Sequence, residues 1–173
     1  MKKIVIILVL LLIVACSPIR VNYDYETATD FTTYKTYNYY ANIQSGLNEL
    51  DTNRLMNALD EELQSKGLTL SETPDFFIDI KSDEFQEANR SSVGVGLGGG
   101  GRKVGGGVSI GIPVGQSNLN RQIIIDFVDE NGVGLFWQAV SEDSFNPNAK
   151  PDKREAKFKA IVVKILENYP PKK

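Results

Sequence analysis

The sequence predicts an α+β domain: an antiparallel sheet of about six strands with two helices packed on one face, plus a glycine-rich β-hairpin. Three observations predict it. Segments 50–67 and 151–170 carry apolar residues at the three-to-four-residue spacing of a helix. Several shorter segments alternate apolar and polar residues, or are rich in Tyr, Thr and Ile, as strands are. Asn131-Gly132 stands between two of these, a turn signal that pairs neighbouring strands antiparallel.

The chain opens on a segment of a different kind. Lys2 and Lys3 precede an unbroken apolar stretch from Ile4 to Val14. Its length is about half the ~20 residues a membrane-spanning helix needs and matches the core of a secretory leader. The small residue Ala15 then precedes Cys16, the single cysteine of the chain. Ile13-Val14-Ala15-Cys16 resembles the bacterial lipobox, the processing site of lipoproteins. That resemblance implies that the Cys16 sulfur receives a diacylglyceryl group, that the chain is cut just before Cys16, and that the new amino group is acylated. Two or three acyl chains anchor stably where one is marginal. Ser17, rather than Asp, after the cysteine resembles an outer-membrane address. Ser17-Pro18-Ile19-Arg20 lacks the acidic run that some lineages use for display at the cell surface. The expectation is a lipoprotein anchored in the outer membrane and facing the periplasm. Residues 1–15 are then the signal peptide, 16–20 the lipidated cysteine with a short tether, and 21–170 a single domain.

Cleavage would remove two lysines from the 19 basic residues and leave 22 acidic ones, a net charge of −5. That balance excludes nucleic acid as a partner and excludes charge-driven binding to anionic lipid headgroups. With one cysteine there is no internal disulfide, so the fold must stand on its core alone.

Residues 21–40 hold six of the seven tyrosines and read as two strands broken at Ala28 to Asp30. Alternation puts Tyr37 and Tyr39 on one face and Tyr34 and Tyr40 on the other. The expected role is packing at the sheet margin; the alternative is an aromatic platform for sugars or peptide. The first helix, 50–67, takes Asp51 as its N-cap, Leu55, Leu59 and Leu63 with Met56 as its apolar stripe, and Gly67 as its C′ residue. Asp60-Glu61-Glu62 reads as its solvated face. Leu68 to Leu70 starts a short strand that Pro74 breaks. In 75–85, Phe77 and Ile78 open a core strand with Asp79, Lys81 and Asp83 facing away. Strands 120–132 and 135–145 follow, joined at Asn131-Gly132. Leu135, Phe136 and Trp137 are expected in the core. Helix 151–170 starts at Pro151, buries Phe158, Ile161, Val162, Ile165 and Tyr169, and stops at Pro170.

Between the strands lies 93–115, with eleven of the 15 glycines. Gly96, Gly98 and Gly101 have the spacing of a dinucleotide fingerprint, but more glycine follows where that motif needs a helix. Gly107-Val108-Ser109-Ile110-Gly111 has the spacing of a nucleophile elbow, but the chain has no histidine to act as base. Both are chance matches. The remaining pattern is a hairpin with apolar residues on one face and glycine on the other. It reads as an excursion held by little side-chain surface, or as a surface for close backbone approach to a partner strand or the bilayer.

The chain is expected not to be an enzyme and to carry no cofactor or metal. It lacks histidine, and the cysteine is taken by lipid. Asp126, Asp129 and Glu130 cluster at a hairpin end, and Asp75, Asp79 and Asp83 recur on one strand. Such carboxylates serve glycoside hydrolysis or hold Ca²⁺; here Asp129-Glu130-Asn131-Gly132 is turn chemistry.

Asp24, Phe31, the run Tyr34-Lys35-Thr36-Tyr37, the helix ending in Gly67, Pro74-Asp75, the stretch Ile123 to Gly132, Trp137, and the close Asn168-Tyr169-Pro170-Pro171 together resemble the family called domain of unknown function 4136, across nearly the whole mature chain. The resemblance implies a bacterial lipoprotein of this fold and brings no catalytic residues. The reading that results is a non-catalytic interaction domain of the cell envelope, with the membrane and an envelope protein as partners. The alternative is a periplasmic carrier or sensor of a small ligand bound near the Tyr-rich strands.

Overall fold

The computed structural model describes residues 18–86 and 119–172. The leader, Cys16 and the expected glycine-rich hairpin at 93–115 lie outside the described residues. In chain order the elements are β1 (Arg20–Tyr25), a 3-10 turn (Phe31–Thr33), β2 (Thr36–Tyr39), α1 (Glu49–Ser65), β3 (Thr69–Leu70), β4 (Phe76–Gln86), β5 (Leu119–Asp129), β6 (Gly134–Ser144) and α2 (Pro151–Leu166). The strands form one six-stranded sheet in the order β1-β6-β5-β4-β2-β3. Both helices pack on one face of it, and a single apolar cluster joins them to the strands.

The sheet is mixed, not antiparallel as expected. β1, β6, β5 and β4 pair antiparallel, but β2 runs parallel to both β4 and β3. The cause is α1. It lies between β2 and its two partners in sequence, and a strand that returns to the sheet through a helical crossover runs parallel to the one it left.

The helices form where their stripes predict. Leu55, Leu59 and Leu63 are fully buried on α1, and Phe158, Ile161, Val162 and Ile165 are buried on α2 with Tyr169 beyond its end. Pro151 occupies the first turn of α2. At the end of α1, Gly67 takes φ +88°. Its N–H donates to the Gln64 carbonyl at 3.0 Å, and the Leu68 N–H donates to the Leu63 carbonyl at 3.1 Å. These are the two bonds of a Schellman cap, which glycine allows without a Cβ penalty. The N-cap is Asn48, not Asp51: its side-chain oxygen accepts from the Asp51 N–H. Asp51 therefore sits inside the first turn.

Two strand assignments shift. On β4 the buried residues are Phe76, Ile78 and Ile80, so Phe77 faces the opposite side, where its ring stacks on Tyr40 at 5.1 Å. Between β5 and β6, Asp129 pairs with Gly134, which makes a loop of 130–133 rather than a two-residue turn. The positive φ falls at Gly134, +78°. The register also slips: Phe127 faces Trp137, but Val128 faces Leu135. Phe136 is the extra residue of this bulge. Adjacent Phe136 and Trp137 thereby both reach the core, each 1% exposed, while Leu135 is left 50% exposed.

One glycine before α1 is fixed by its neighbours. Gly46 has φ +73°, and a Cβ there would lie 2.4 Å from the backbone carbonyl oxygen of Ser82 on β4. Gly46→Ala combines a left-handed conformation with a clash against backbone. It should lower stability by about 1–3 kcal/mol in urea unfolding; an unchanged midpoint would show that the loop before α1 shifts freely.

Candidate functional site

The largest concentration of buried charge lies at the end of the sheet where β4 finishes and β5 begins. Asp51, on the first turn of α1, is 0% exposed. Arg54 donates to its Oδ1 from Nη1 at 2.8 Å, and Arg154, on the first turn of α2, donates from Nε at 3.0 Å. Arg154 also bonds Oδ2 through Nη2. Asn48 donates to the same oxygen at 3.2 Å, and Arg121 on β5 approaches it at 3.6 Å. Burial alone would raise the Asp51 carboxyl pKa; hydrogen bonds from Arg154 and Arg54 and the charges of Arg154 and Arg121 outweigh it and hold the group below the usual carboxylate range.

Arg121 is the hinge of this cluster. Its other Nη donates to Glu84 at 2.7 Å, and its guanidinium carbon lies 3.5 Å from the centre of the Phe145 ring. Beside it is a cavity of about 260 Å³, walled by Ile123, Phe145, Phe158 and Ile161 and edged by Arg121, Arg154, Lys153 and Lys157. Lys157 pairs with the buried carboxylate of Asp143.

The sequence carries a signal for this cluster. Asp51 stands four residues before Leu55, Arg154 four before Phe158, and Arg121 two before Ile123. Each charge therefore occupies a core-face position of its own element. Three charges on the inward faces of three elements, at the ends that meet, imply a buried ion network.

The expected site residues go elsewhere. Cys16 lies outside the described residues. Tyr37 and Tyr39 both donate to Asp60 Oδ1 at 2.8 Å. Asp60 is therefore half-buried against the sheet and is not part of a solvated face. Tyr34 does not share the face of Tyr40: it precedes β2, follows the 3-10 turn, and stacks on core Phe136 at 4.2 Å. Its hydroxyl donates to Asp129 at 3.0 Å, and burial together with that bond pushes its pKa up to about 12. Burial and the Asp60 carboxylate likewise raise Tyr37 and Tyr39. Tyr34, Tyr37 and Tyr39 pack and bond within the fold, while Tyr23 stays 45% exposed.

The carboxylates have structural partners as well. Asp126 accepts from Gln138 at 2.7 Å and from Lys81 at 3.3 Å, and Lys81 also pairs with Asp79 at 2.7 Å. Asp75 accepts from the backbone N–H of Lys35 and of Thr36, both at 2.8 Å, which lowers its pKa. Asp129 accepts from the Asn131 N–H of its own loop at 3.0 Å. Asp83 accepts from the Glu84 N–H at 2.9 Å. Among the described residues no three His, Cys, Asp or Glu side chains are grouped to hold a metal.

Residues 21–171 match the family described as "Domain of unknown function (DUF4136)". None of the curated proteins matches the chain. Among solved structures, a DUF4136 family protein from Bacteroides thetaiotaomicron is 13% identical with a TM-score of 0.52, over 89% of this chain and 97% of that one. A PDZ domain protein from Parabacteroides distasonis is 15% identical with a TM-score of 0.58; the match covers 95% of this chain but only 39% of that protein. The PelC dodecamer from Paraburkholderia phytofirmans is 9% identical with a TM-score of 0.51, over 90% of this chain and 100% of that one. At these identities the likeness is one of fold.

Proposed function

The chain belongs to the family described as domain of unknown function (DUF4136), and from that premise we propose that it is a lipid-anchored lipoprotein of the bacterial cell envelope, a non-catalytic interaction domain held at the periplasmic face of the outer membrane. One observation carries the proposal. Cys16 follows a small residue at the end of an apolar stretch led by two lysines, and it is the only cysteine in the chain.

Two further facts support it. Among the described residues no helix is long and apolar enough to cross a membrane. Ile19 already packs against the core and β1 starts at Arg20. Cys16 to Pro18 then spans about 11 Å at most, which holds the domain against the bilayer. The surface that such an anchor presents includes β1, which among the described residues pairs only with β6. An unpaired strand edge is a template for strand addition by a partner.

Cys16→Ala should abolish incorporation of labelled palmitate and leave the leader uncleaved by the lipoprotein peptidase. Palmitate uptake by that variant would sink the anchoring reading. Crosslinking in intact cells, with partners identified from the wild-type and Cys16→Ala strains, tests the interaction role: partners that depend on Cys16 are expected.

A further inference from the structure

We propose that the cavity between β5, β6 and the start of α2 is a binding site for a small molecule that carries a carboxylate on an apolar body. Four features of the cavity lead there, and none depends on how the chain is anchored.

The first is composition. Its walls, Ile123, Phe145, Phe158 and Ile161, are apolar, and its polar edge sets four cations, Arg121, Lys153, Arg154 and Lys157, against one carboxylate, Asp143. The chain as a whole has a net charge of −3. A cationic rim on an acidic protein is a local departure that favours an anion. The second is an unanswered donor. The Arg121 side chain is 9% exposed, and its Nη atoms are held by Asp51 and Glu84. Its Nε has no acceptor among the described residues. A buried N–H without a partner costs free energy that a ligand oxygen would remove.

The third is orientation and charge. The Arg121 guanidinium carbon lies over the Phe145 ring, 3.5 Å from its centre, which restricts the side chain. A carboxylate oxygen takes a charge-assisted hydrogen bond from the free Nε more strongly than a neutral acceptor does. Lys153, on the rim, has no ion pair among the described residues and supplies the balancing charge. The acidic residues around the site are already engaged: Asp51 by the arginines, Glu84 by Arg121, and Asp143 by Lys157. Among the described residues, one cation without an ion pair and one N–H without an acceptor suit a monoanion. The fourth is size. A volume of 260 Å³ lies just under the roughly 300–1,000 Å³ of drug-sized sites, so the body is small.

The test uses phenylpropionate as probe and its neutral analogue phenylpropionamide, with the full-length chain in phosphatidylcholine nanodiscs and isotope-labelled isoleucine methyls. Phenylpropionate should shift the Ile123 and Ile161 methyl signals saturably, and the amide should bind at least tenfold more weakly. Ala149→Phe, which adds bulk to the cavity lining, should abolish the shifts. Lys153→Gln should weaken binding several-fold at an unchanged melting temperature. The proposal is overturned by the absence of a saturable shift, by equal affinity for acid and amide, or by undiminished binding to Ala149→Phe. Should that variant unfold, Lys153→Gln on the exposed rim decides: unchanged affinity there overturns the site.

Discussion

Asp51→Ala is expected to destabilise the domain by about 3–5 kcal/mol, the range for removing one partner from a buried ion pair. The reason is not the lost attraction alone. Arg121 and Arg154 have side chains only 9% and 16% exposed. Without Asp51 they would be desolvated like charges facing each other across the start of α2, with only Glu84 left to answer Arg121. Equilibrium urea unfolding should show the midpoint fall with little change in slope. A loss under 1 kcal/mol would mean that water enters the cluster freely and that the network does not tie α1, α2 and β5 together. Replacing all three by apolar residues, Asp51→Leu with Arg121→Met and Arg154→Leu, should recover much of the loss, because the desolvation cost then disappears with the charges.

The same residue sets an acid limb. The folded Asp51 carboxyl titrates below the ~3.9 of an unfolded Asp, because arginine hydrogen bonds outweigh the upward push of burial. A depressed folded pKa gives stability that is complete above the unfolded pKa and is lost as pH falls through the folded one. Wild-type stability should therefore fall below about pH 4, and Asp51→Ala should lack that component of the fall. Asp75 titrates low for a different reason, two backbone N–H donors, and its share of the acid limb should remain in the Asp51 variant.

Periodicity exposed the parts of this fold that depend on one element alone. The four-residue spacing of Leu55, Leu59 and Leu63 marks the buried face of α1 because helix geometry decides it locally. Gly67 marks its end because the cap needs a left-handed residue. What depends on two elements was hidden. Alternation on β2 and β4 tells which face is buried, not which strand is the neighbour, so the parallel pairing through α1 went unread. An Asp before an apolar stripe is commonly an N-cap; only Asn48, three residues earlier, sets Asp51 apart from that case. The cavity beside Arg121 needs β5, β6 and α2 placed together, and no single stretch of sequence contains it.

Trp137→Ala is expected to cost about 3–5 kcal/mol, a large share of the roughly 5–15 kcal/mol by which a domain is stable. Trp137 is 1% exposed and packs against Phe127 at 4.6 Å and edge-on to Tyr169 at 5.3 Å. Phe127 also meets Tyr169 edge-on at 5.1 Å, so the indole closes a three-ring contact between β5, β6 and the segment after α2. Its removal leaves a cavity in rigid surroundings, because the bulge fixes Phe136 and Trp137 side by side and neither can slide into the other's place. The indole N–H, however, has no acceptor among the described residues. Trp137→Phe deletes that buried donor together with part of the ring, and should therefore cost much less than the alanine change. The chain has one tryptophan, so the wild-type emission reports this site directly: it should be blue-shifted when folded and move red in the same transition that far-ultraviolet circular dichroism follows. For Trp137→Ala, dichroism alone reads the transition, and a midpoint within 1 kcal/mol of wild type would mean that the three-ring contact does not hold the end of α2 to the sheet.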